Sequence, residues 1–163
     1  MLYELYRDNI ETGDLLAWSN RKIRRWDDIF KQGIRLFTRS EFHHVGIAWV
    51  ISGRLFVIEA VPPLVRIYPL SKETPFYHIK MDVPVNDKAE AFLLGTVGEP
   101  YSVWSAIRSY FSKPNEDHQW QCAEYAREFY QSVGIHLGEA FTPSDIVEAA
   151  LTHSPHGMRL IQQ

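Results

Sequence analysis

The sequence predicts an α+β fold with an antiparallel sheet packed against helices. A helix-like segment comes first, strand-like segments with short turns follow, and helical apolar spacing dominates the last part of the chain. The strongest local signal is a hairpin at Ser52-Gly53, which joins two apolar segments. Strands and helices that are segregated in this way are typical of α+β folds and their antiparallel sheets.

Composition limits the possible classes of protein. A chain of 163 residues suits one domain, which we expect to span 1–163, and 45% hydrophobic residues exclude general disorder. The net charge of −3 excludes a general binder of polyanions, so no nucleic-acid partner is predicted. Cys122 is the single cysteine, which excludes an intrachain disulfide and a multi-cysteine metal site.

No membrane span or export signal is expected from the sequence. The apolar runs are all shorter than the roughly 20 residues that a spanning helix needs. The first residues, MLYELYRDNIETGD, contain early acidic residues and no continuous apolar core, so a signal peptide is not predicted. The sequence therefore predicts a cytoplasmic protein.

The first elements are a strand and a basic helix. A turn at Thr12-Gly13-Asp14 precedes a short apolar strand that ends near Trp18. Residues 19–38 carry apolar side chains at helical spacing, with a polar face that is locally basic. That face is either solvated or contacts an anionic surface, and its leading basic residues are Arg21, Lys22, Arg24 and Arg25.

The middle of the chain is predicted to form strands. Residues 43–51 and 54–61 make the hairpin, and Pro62-Pro63 ends its second strand. The segments VRIYPL and FYHIKMDV predict two further short strands. A helix is then expected from Asn86 or Asp87, broken by Gly98-Glu99-Pro100, with one apolar face formed by Ala89, Phe92, Leu93 and Val97.

The last part of the chain predicts three helices and an edge strand. A short helix is expected over 103–111, and a longer one over 121–133 that stops at Gly134. The segment Thr142-Pro143-Ser144-Asp145 begins the last helix, because threonine and proline are typical of a helix start. The tail MRLIQQ is expected to form an edge strand.

Cys122 is a candidate nucleophile because of its position. It falls in the first turn of a predicted helix, on the same inward face as Ala126 and Phe129. Unpaired N–H groups at a helix N-terminus stabilise a thiolate, which is the reactive form of cysteine. The alternative is that Cys122 is a small buried hydrophobic residue.

His44 and Glu59 form the second part of the candidate site. A two-residue turn at Ser52-Gly53 would place Gly46 opposite Glu59, with His44 and Glu59 as diagonal neighbours on one face. The glycine would leave room for the carboxylate to approach the imidazole, fix its tautomer and stabilise its charged form. The alternatives are a core ion pair or a slipped register.

The segments FHHVGIAWV, FVIEA and WQCAEYAREFY together resemble the circularly permuted branch of the NlpC-type papain-like cysteine hydrolases. In that branch, a strand with a His-x-Gly pattern precedes the cysteine helix. Three further landmarks agree with it, namely Thr12-Gly13-Asp14-Leu15, Gly98-Glu99-Pro100-Tyr101 and Thr142-Pro143-Ser144-Asp145. The resemblance implies a permuted papain-like fold, with an antiparallel sheet or small barrel packed against the cysteine-bearing helix.

The resemblance also implies roles for individual residues. Cys122 matches the nucleophile, His44 the general base and Glu59 the polar third member, which varies across the superfamily. Tyr101 matches a tyrosine that is often near such sites, where it would orient a substrate or help bind an oxyanion; a half-buried structural tyrosine is the alternative. Trp120 would line a substrate cleft or belong to the core.

The leading functional hypothesis is a cysteine peptidase or amidase that cleaves an amide bond, as in a cell-wall peptide, through an acyl-enzyme. A lipid or thioester acyl hydrolase or acyltransferase, as in lecithin:retinol acyltransferase-like proteins, ranks second, because Gln121-Cys122-Ala123-Glu124 departs from their usual sequence. A non-catalytic binding module is the third hypothesis. No cofactor or metal is predicted, and a phage-associated protein would suit the first hypothesis as well as a cytoplasmic one.

Overall fold

The computed structural model describes residues 1–19, 41–84, 86–101 and 121–163. Its strands, in chain order, are β1 Leu15–Ser19, β2 Phe42–Ile51, β3 Arg54–Val61, β4 Leu64–Pro69, β5 Phe76–Ile79 and β6 Met158–Ile161. Within these described ranges the strands form a six-stranded sheet in the order β4-β3-β2-β1-β5-β6, with antiparallel pairings throughout. The prediction of an α+β fold with an antiparallel sheet is therefore confirmed.

The helices predicted to start at Asn86 or Asp87, near Gln121 and at Thr142 are present in the described part of the chain, together with a short N-terminal helix that was not predicted. They are α1 Tyr3–Tyr6, α2 Asp87–Gly95, α3 Cys122–Ser132 and α4 Pro143–His153, with 3-10 turns at Arg7–Asn9 and Leu70–Lys72. The hydroxyl of Thr142 accepts from the Asp145 N–H, and the Asp145 carboxylate accepts from the Thr142 N–H, which makes a capping box at the start of α4. Gly134 follows α3 with φ 87°, a conformation that favours glycine.

The β2–β3 hairpin has the predicted turn and register. Ser52 and Gly53 have φ values of 50° and 73°, as a two-residue turn of the primed type requires, and Ile51 pairs with Arg54. Strand β3 ends at Val61, before Pro62-Pro63, as predicted. The two prolines form the turn to β4, so the sheet gains a second hairpin there.

Helix α2 confirms most of one prediction and corrects part of it. Ala89 and Leu93 are fully buried on its inner face, as expected. The expectation that Val97 shares this face is wrong, because α2 ends at Gly95 and Val97 is 38% exposed. The hydroxyl of Thr96 donates back to the last turn of α2, so the chain leaves the helix before Val97.

The sheet has a hydrophobic core on each face. The larger core lies between the sheet and helices α2, α3 and α4, and the smaller one lies under the N-terminal segment that contains α1. Successive side chains of β1 point to opposite faces of the sheet and so contribute to both cores. Leu15 and Ala17 belong to the larger core, and Leu16 and Trp18 belong to the smaller one. Helix α3, with Cys122 as its first residue, packs on the larger core and against β2.

Three predictions fall on residues that the structure does not describe. Ser19 ends β1, and the rest of the predicted basic helix over 19–38, including Arg21, Lys22, Arg24 and Arg25, lies outside the described residues. The predicted helix over 103–111 and the side chain of Trp120 also lie outside them. Among the described residues, no helix combines the length and apolar character that crossing a membrane requires.

Candidate active site

The site begins with Cys122, the first residue of α3. Gln121 precedes it in an extended conformation (φ −113°, ψ 159°), so the helix starts directly at the cysteine. The Cys122 residue is 8% exposed and therefore lies near the surface of the core. The first N–H groups of an α-helix have no partner inside the helix, so the backbone at Cys122 presents hydrogen-bond donors beside the thiol.

His44 is the second member of the site and lies on β2. Its Nε2 is 2.5 Å from Oε2 of Glu59, which lies on the neighbouring strand β3. The indole of Trp18, the cross-strand partner of His44 on β1, packs against the imidazole with 5.2 Å between ring centroids. His44 is 9% exposed and Glu59 is 1% exposed, so the pair is shielded from water.

Gly46 makes the approach of His44 and Glu59 possible. A Cβ atom at this position would lie 2.6 Å from Cγ2 of Val57 and 3.2 Å from Cβ of Glu59. These distances are shorter than ordinary van der Waals contact, so any larger residue would displace the carboxylate or the strand. The glycine of the predicted His-x-Gly pattern therefore leaves the room that the sequence analysis expects.

Cys122 lies near enough to the imidazole of His44 to affect its pKa. Burial lowers the pKa of His44, but the charge and hydrogen bond of Glu59, together with the neighbouring Cys122, outweigh burial and raise the pKa to about 9. His44 is consequently an imidazolium at neutral pH. Glu59 lies at Nε2 of His44 and Cys122 lies beside the same ring, so one site contains a thiol, an imidazole and a carboxylate.

Arg66 on β4 is a further member of the site, and the sequence analysis missed it. Oε1 of Glu59 accepts hydrogen bonds from Nε of Arg66 at 2.8 Å and from Nη2 at 2.6 Å. Burial raises the pKa of Glu59, but His44 and Arg66 lower it, and the net direction is down. The signal for Arg66 is the Pro62-Pro63 segment, which the sequence predicted only as the end of a strand. In the structure these prolines also form a turn, and the strand that follows places Arg66 opposite Glu59.

Trp18 and Glu73 complete the surroundings of the pair. Nε1 of Trp18 donates to the carbonyl of Glu73 at 2.7 Å, which holds the indole against His44. The Glu73 carboxylate also accepts from Nη2 of Arg66, at 3.4 Å. These contacts link β1, β4 and the segment after β4 around the imidazole, and they depend on strand order that the sequence alone does not reveal.

The structure describes one of the two predicted substrate-binding residues, Tyr101. Tyr101 is half-buried against the larger core, and its N–H donates to the carbonyl of Pro63 at the β3–β4 turn, 2.9 Å away. Its role toward a substrate stays a prediction. Trp120 lies outside the described residues, so its predicted role is untested as well.

A second buried histidine belongs to a different cluster. Nε2 of His78 is 2.8 Å from Oδ2 of Asp14, and its Nδ1 is 3.0 Å from the hydroxyl of Tyr6. The Asp14 carboxylate also accepts from the N–H groups of Met81 and Glu11, at 3.0 and 2.8 Å. The cluster ties the N-terminal segment to β5.

Comparison with known proteins shows only the fold. No family model matches the sequence, and no curated protein matches it. A similar solved structure is the crystal structure of metalloprotein yiiX from Escherichia coli O157:H7, DUF1105, with a TM-score of 0.57 and 22% identity over 79% of this chain and 69% of that chain. At this identity, the similarity extends to the fold and not to the chemistry of the site.

Proposed function

We propose that this chain is a cysteine hydrolase of the peptidase or amidase type, with the permuted papain-like fold that its sequence resembles. One observation carries the proposal: the thiol at the start of α3 lies beside an imidazole that is paired with a buried carboxylate. A nucleophile, a base and a group that orients the base are the three parts that covalent acyl transfer needs. They come from three separate elements, α3, β2 and β3.

In the proposed mechanism, each of these residues has one step. His44 holds a proton at neutral pH and stabilises the thiolate of Cys122, which attacks the carbonyl carbon of the substrate and forms the C–S bond. The N–H of Cys122 at the helix start donates to the developing oxyanion. His44 then gives its proton to the leaving amine as the C–N bond breaks, and Glu59 keeps the imidazole oriented.

Water completes the cycle in this proposal. Neutral His44 accepts a proton from water, which attacks the thioester, releases the carboxylic acid and regenerates the thiol. Glu59 stabilises the imidazolium in both halves of the reaction, and its low pKa keeps it anionic throughout. The same residues would act on an ester or a thioester, so the bond type is decided by the substrate and not by the triad.

A metal ion is not part of the proposed mechanism. The similar E. coli structure is that of a metalloprotein, but within the described residues no group of three His, Cys, Asp or Glu side chains could hold an ion. In the site itself, Arg66 occupies Oε1 of Glu59 and His44 faces Oε2, so a cation would have to displace a guanidinium. These donors do not fit a metal, and no step is derived through one.

The test compares wild type with Cys122→Ala on panels of peptides, muropeptides and lipid esters. We expect turnover of an amide substrate that Cys122→Ala abolishes, and a covalent acyl adduct on Cys122 that mass spectrometry detects. Turnover of lipid esters alone would instead favour the acyl hydrolase. A Cys122→Ala variant with wild-type turnover would refute the thiol mechanism, and an inert Cys122 toward iodoacetamide would favour a binding module.

A further inference from the structure

Glu59 has its two oxygens divided between two partners. Oε2 faces Nε2 of His44, while Oε1 receives both N–H donors of the Arg66 fork. Arg66 is the cross-strand partner of Glu59 in the β3–β4 pairing, so the backbone ladder itself presents the guanidinium to the carboxylate. The two donors converge on Oε1, so they hold that oxygen toward Arg66 and leave Oε2 for His44.

The guanidinium is itself held in place. Its Cζ lies 4.5 Å from the ring centroid of Tyr68, and Nη2 also reaches Glu73 at 3.4 Å. The side chain of Arg66 is 38% exposed, whereas that of Glu59 is 2% exposed. Arg66 therefore reaches from the surface into the buried carboxylate, which would otherwise depend on His44 alone for its charge.

We propose that Arg66 is a positioning residue for the thiol site, acting through Glu59. The guanidinium directs Oε2 of Glu59 toward the imidazole and keeps the carboxylate ionised while His44 gains and loses its proton. Arg66 touches neither the thiol nor the proposed reacting carbonyl, so its effect passes through the orientation and charge of Glu59. This inference rests on the proposed hydrolase function, but its test does not require substrate turnover.

The sign of the pH effect follows from the groups around Glu59. These are His44 on β2, Arg66 on β4 and Glu73 after β4, with Cys122 on α3 beyond the imidazole. Arg66 favours the charged form of the carboxylate, so its removal raises the pH at which Glu59 becomes protonated. A protonated Glu59 no longer stabilises the imidazolium, and the thiol loses reactivity at the acid end of its pH range.

The experiment measures two pH profiles in Arg66→Met and Arg66→Lys. One is the rate of Cys122 alkylation by iodoacetamide, and the other is the ¹³C carboxyl shift of Glu59. We expect Arg66→Met to move the acid midpoint of both profiles upward by about one pH unit. Arg66→Lys, which keeps the charge and loses the fork, should move them less and still slow alkylation at pH 7.

Arg54→Met is the matched control, because Arg54 is an exposed arginine of the same hairpin system, at the start of β3. It should leave both midpoints unchanged. If Arg66→Met shifts neither midpoint more than Arg54→Met does, the positioning role is overturned. If Arg66→Met does not fold, Arg66→Lys decides the question: slower alkylation at an unchanged melting temperature supports the role, and wild-type alkylation overturns it.

The test of the Arg66 positioning role can be distinguished from the test of the proposed hydrolase function. The Glu59 carboxyl titration reports on Arg66 whether or not any substrate is found, because it needs no turnover. A shifted Glu59 midpoint together with an inactive substrate panel would keep the positioning role and reject the hydrolase. An unshifted Glu59 midpoint together with turnover that depends on Cys122 would reject the positioning role and support the hydrolase.

Discussion

Two histidines of the sheet, His44 on β2 and His78 on β5, each have a carboxylate beside Nε2. Glu59 lies 2.5 Å from His44, and Asp14 lies 2.8 Å from His78. Both pairs are buried, and in both the imidazole lies in contact with an aromatic ring. By residue type, burial and distance, the two pairs are close to identical.

They differ in what surrounds the pair. The Nδ1 of His78 contacts the hydroxyl of Tyr6, and Asp14 accepts from two backbone N–H groups. The described polar neighbours of the His44–Glu59 pair include a thiol at a helix start and a half-exposed arginine. In the His78 cluster, the hydrogen bonds join parts of the fold. The His44 cluster also contains a thiol, which is a group that can react.

The difference teaches that a buried histidine–carboxylate pair is not in itself a catalytic site. Buried polar groups need partners, and a pair of this kind can serve only to join two parts of a fold. The further group beside the imidazole decides which use the pair has. The following predictions separate the two uses, one by reactivity and the other by stability.

The largest difference is expected between His44→Ala and His78→Ala. His44→Ala removes the charged imidazole that stabilises the Cys122 thiolate in the proposed mechanism, and should slow hydrolysis and neutral-pH alkylation by about a hundredfold or more. It leaves Glu59 paired with Arg66, so the fold should persist. His78→Ala should keep reactivity while lowering the free energy of unfolding by about 2 kcal/mol or more, because it unpairs buried polar groups.

Both variants are followed by mass spectrometry of the Cys122 adduct and by urea unfolding. The comparison would break if a folded His78→Ala lost as much reactivity as His44→Ala. It would also break if His44→Ala kept wild-type alkylation rates.

The next effect concerns Asp14. Asp14→Asn turns one acceptor oxygen into a donor that faces N–H groups, which should lower the free energy of unfolding by about 2–3 kcal/mol. Asp8→Asn is the control, because the Asp8 side chain is 97% exposed and should change stability by less than about 0.5 kcal/mol. Denaturant titration of both variants checks this, and equal losses would mean that the Asp14 cluster does not stabilise the fold.

A smaller effect is expected at Gly46. Gly46→Ala places a methyl group 2.6 Å from Val57 and close to Glu59, and should cost about 1–3 kcal/mol of stability through overpacking. Because the strain falls on Glu59, reactivity of Cys122 should drop as well. Gly95→Ala is the control, since a Cβ at Gly95 meets nothing within 4 Å. A Gly46→Ala variant as stable and reactive as Gly95→Ala would contradict the tight approach at Gly46.

The last prediction is a pH dependence of stability from His44. Its pKa rises from 6.5 to about 9 on folding, so its contribution is fully present below pH 6.5 and is lost as the pH rises through 9. His44→Gln removes the titration. The difference in free energy of unfolding between wild type and His44→Gln should therefore shrink between pH 6.5 and pH 9, as measured by urea unfolding at each pH. A difference that stays constant over this range would show that His44 does not hold its proton in the folded state.

Local sequence chemistry predicted most of the elements correctly. The Ser52-Gly53 turn, the Pro62-Pro63 strand end and the capping box at Thr142 depend on neighbouring residues alone, so their signals are readable in the sequence. The predicted end of α2 is wrong. Apolar spacing continues to Val97 in the sequence, but the helix ends at Gly95. The approach of His44 and Glu59 was predictable because a two-residue turn sets the register of the whole hairpin.

By itself, the sequence determined the segments, the hairpin register and the positions of the thiol, the imidazole and the carboxylate along them. Strand order and helix placement decided the rest: that α3 brings Cys122 to His44, that Trp18 covers the ring, and that His78 meets Tyr6 and Asp14 instead of a nucleophile. The physical reason is that turns and caps depend on neighbouring residues, whereas contacts between distant segments depend on how the faces of the sheet are packed.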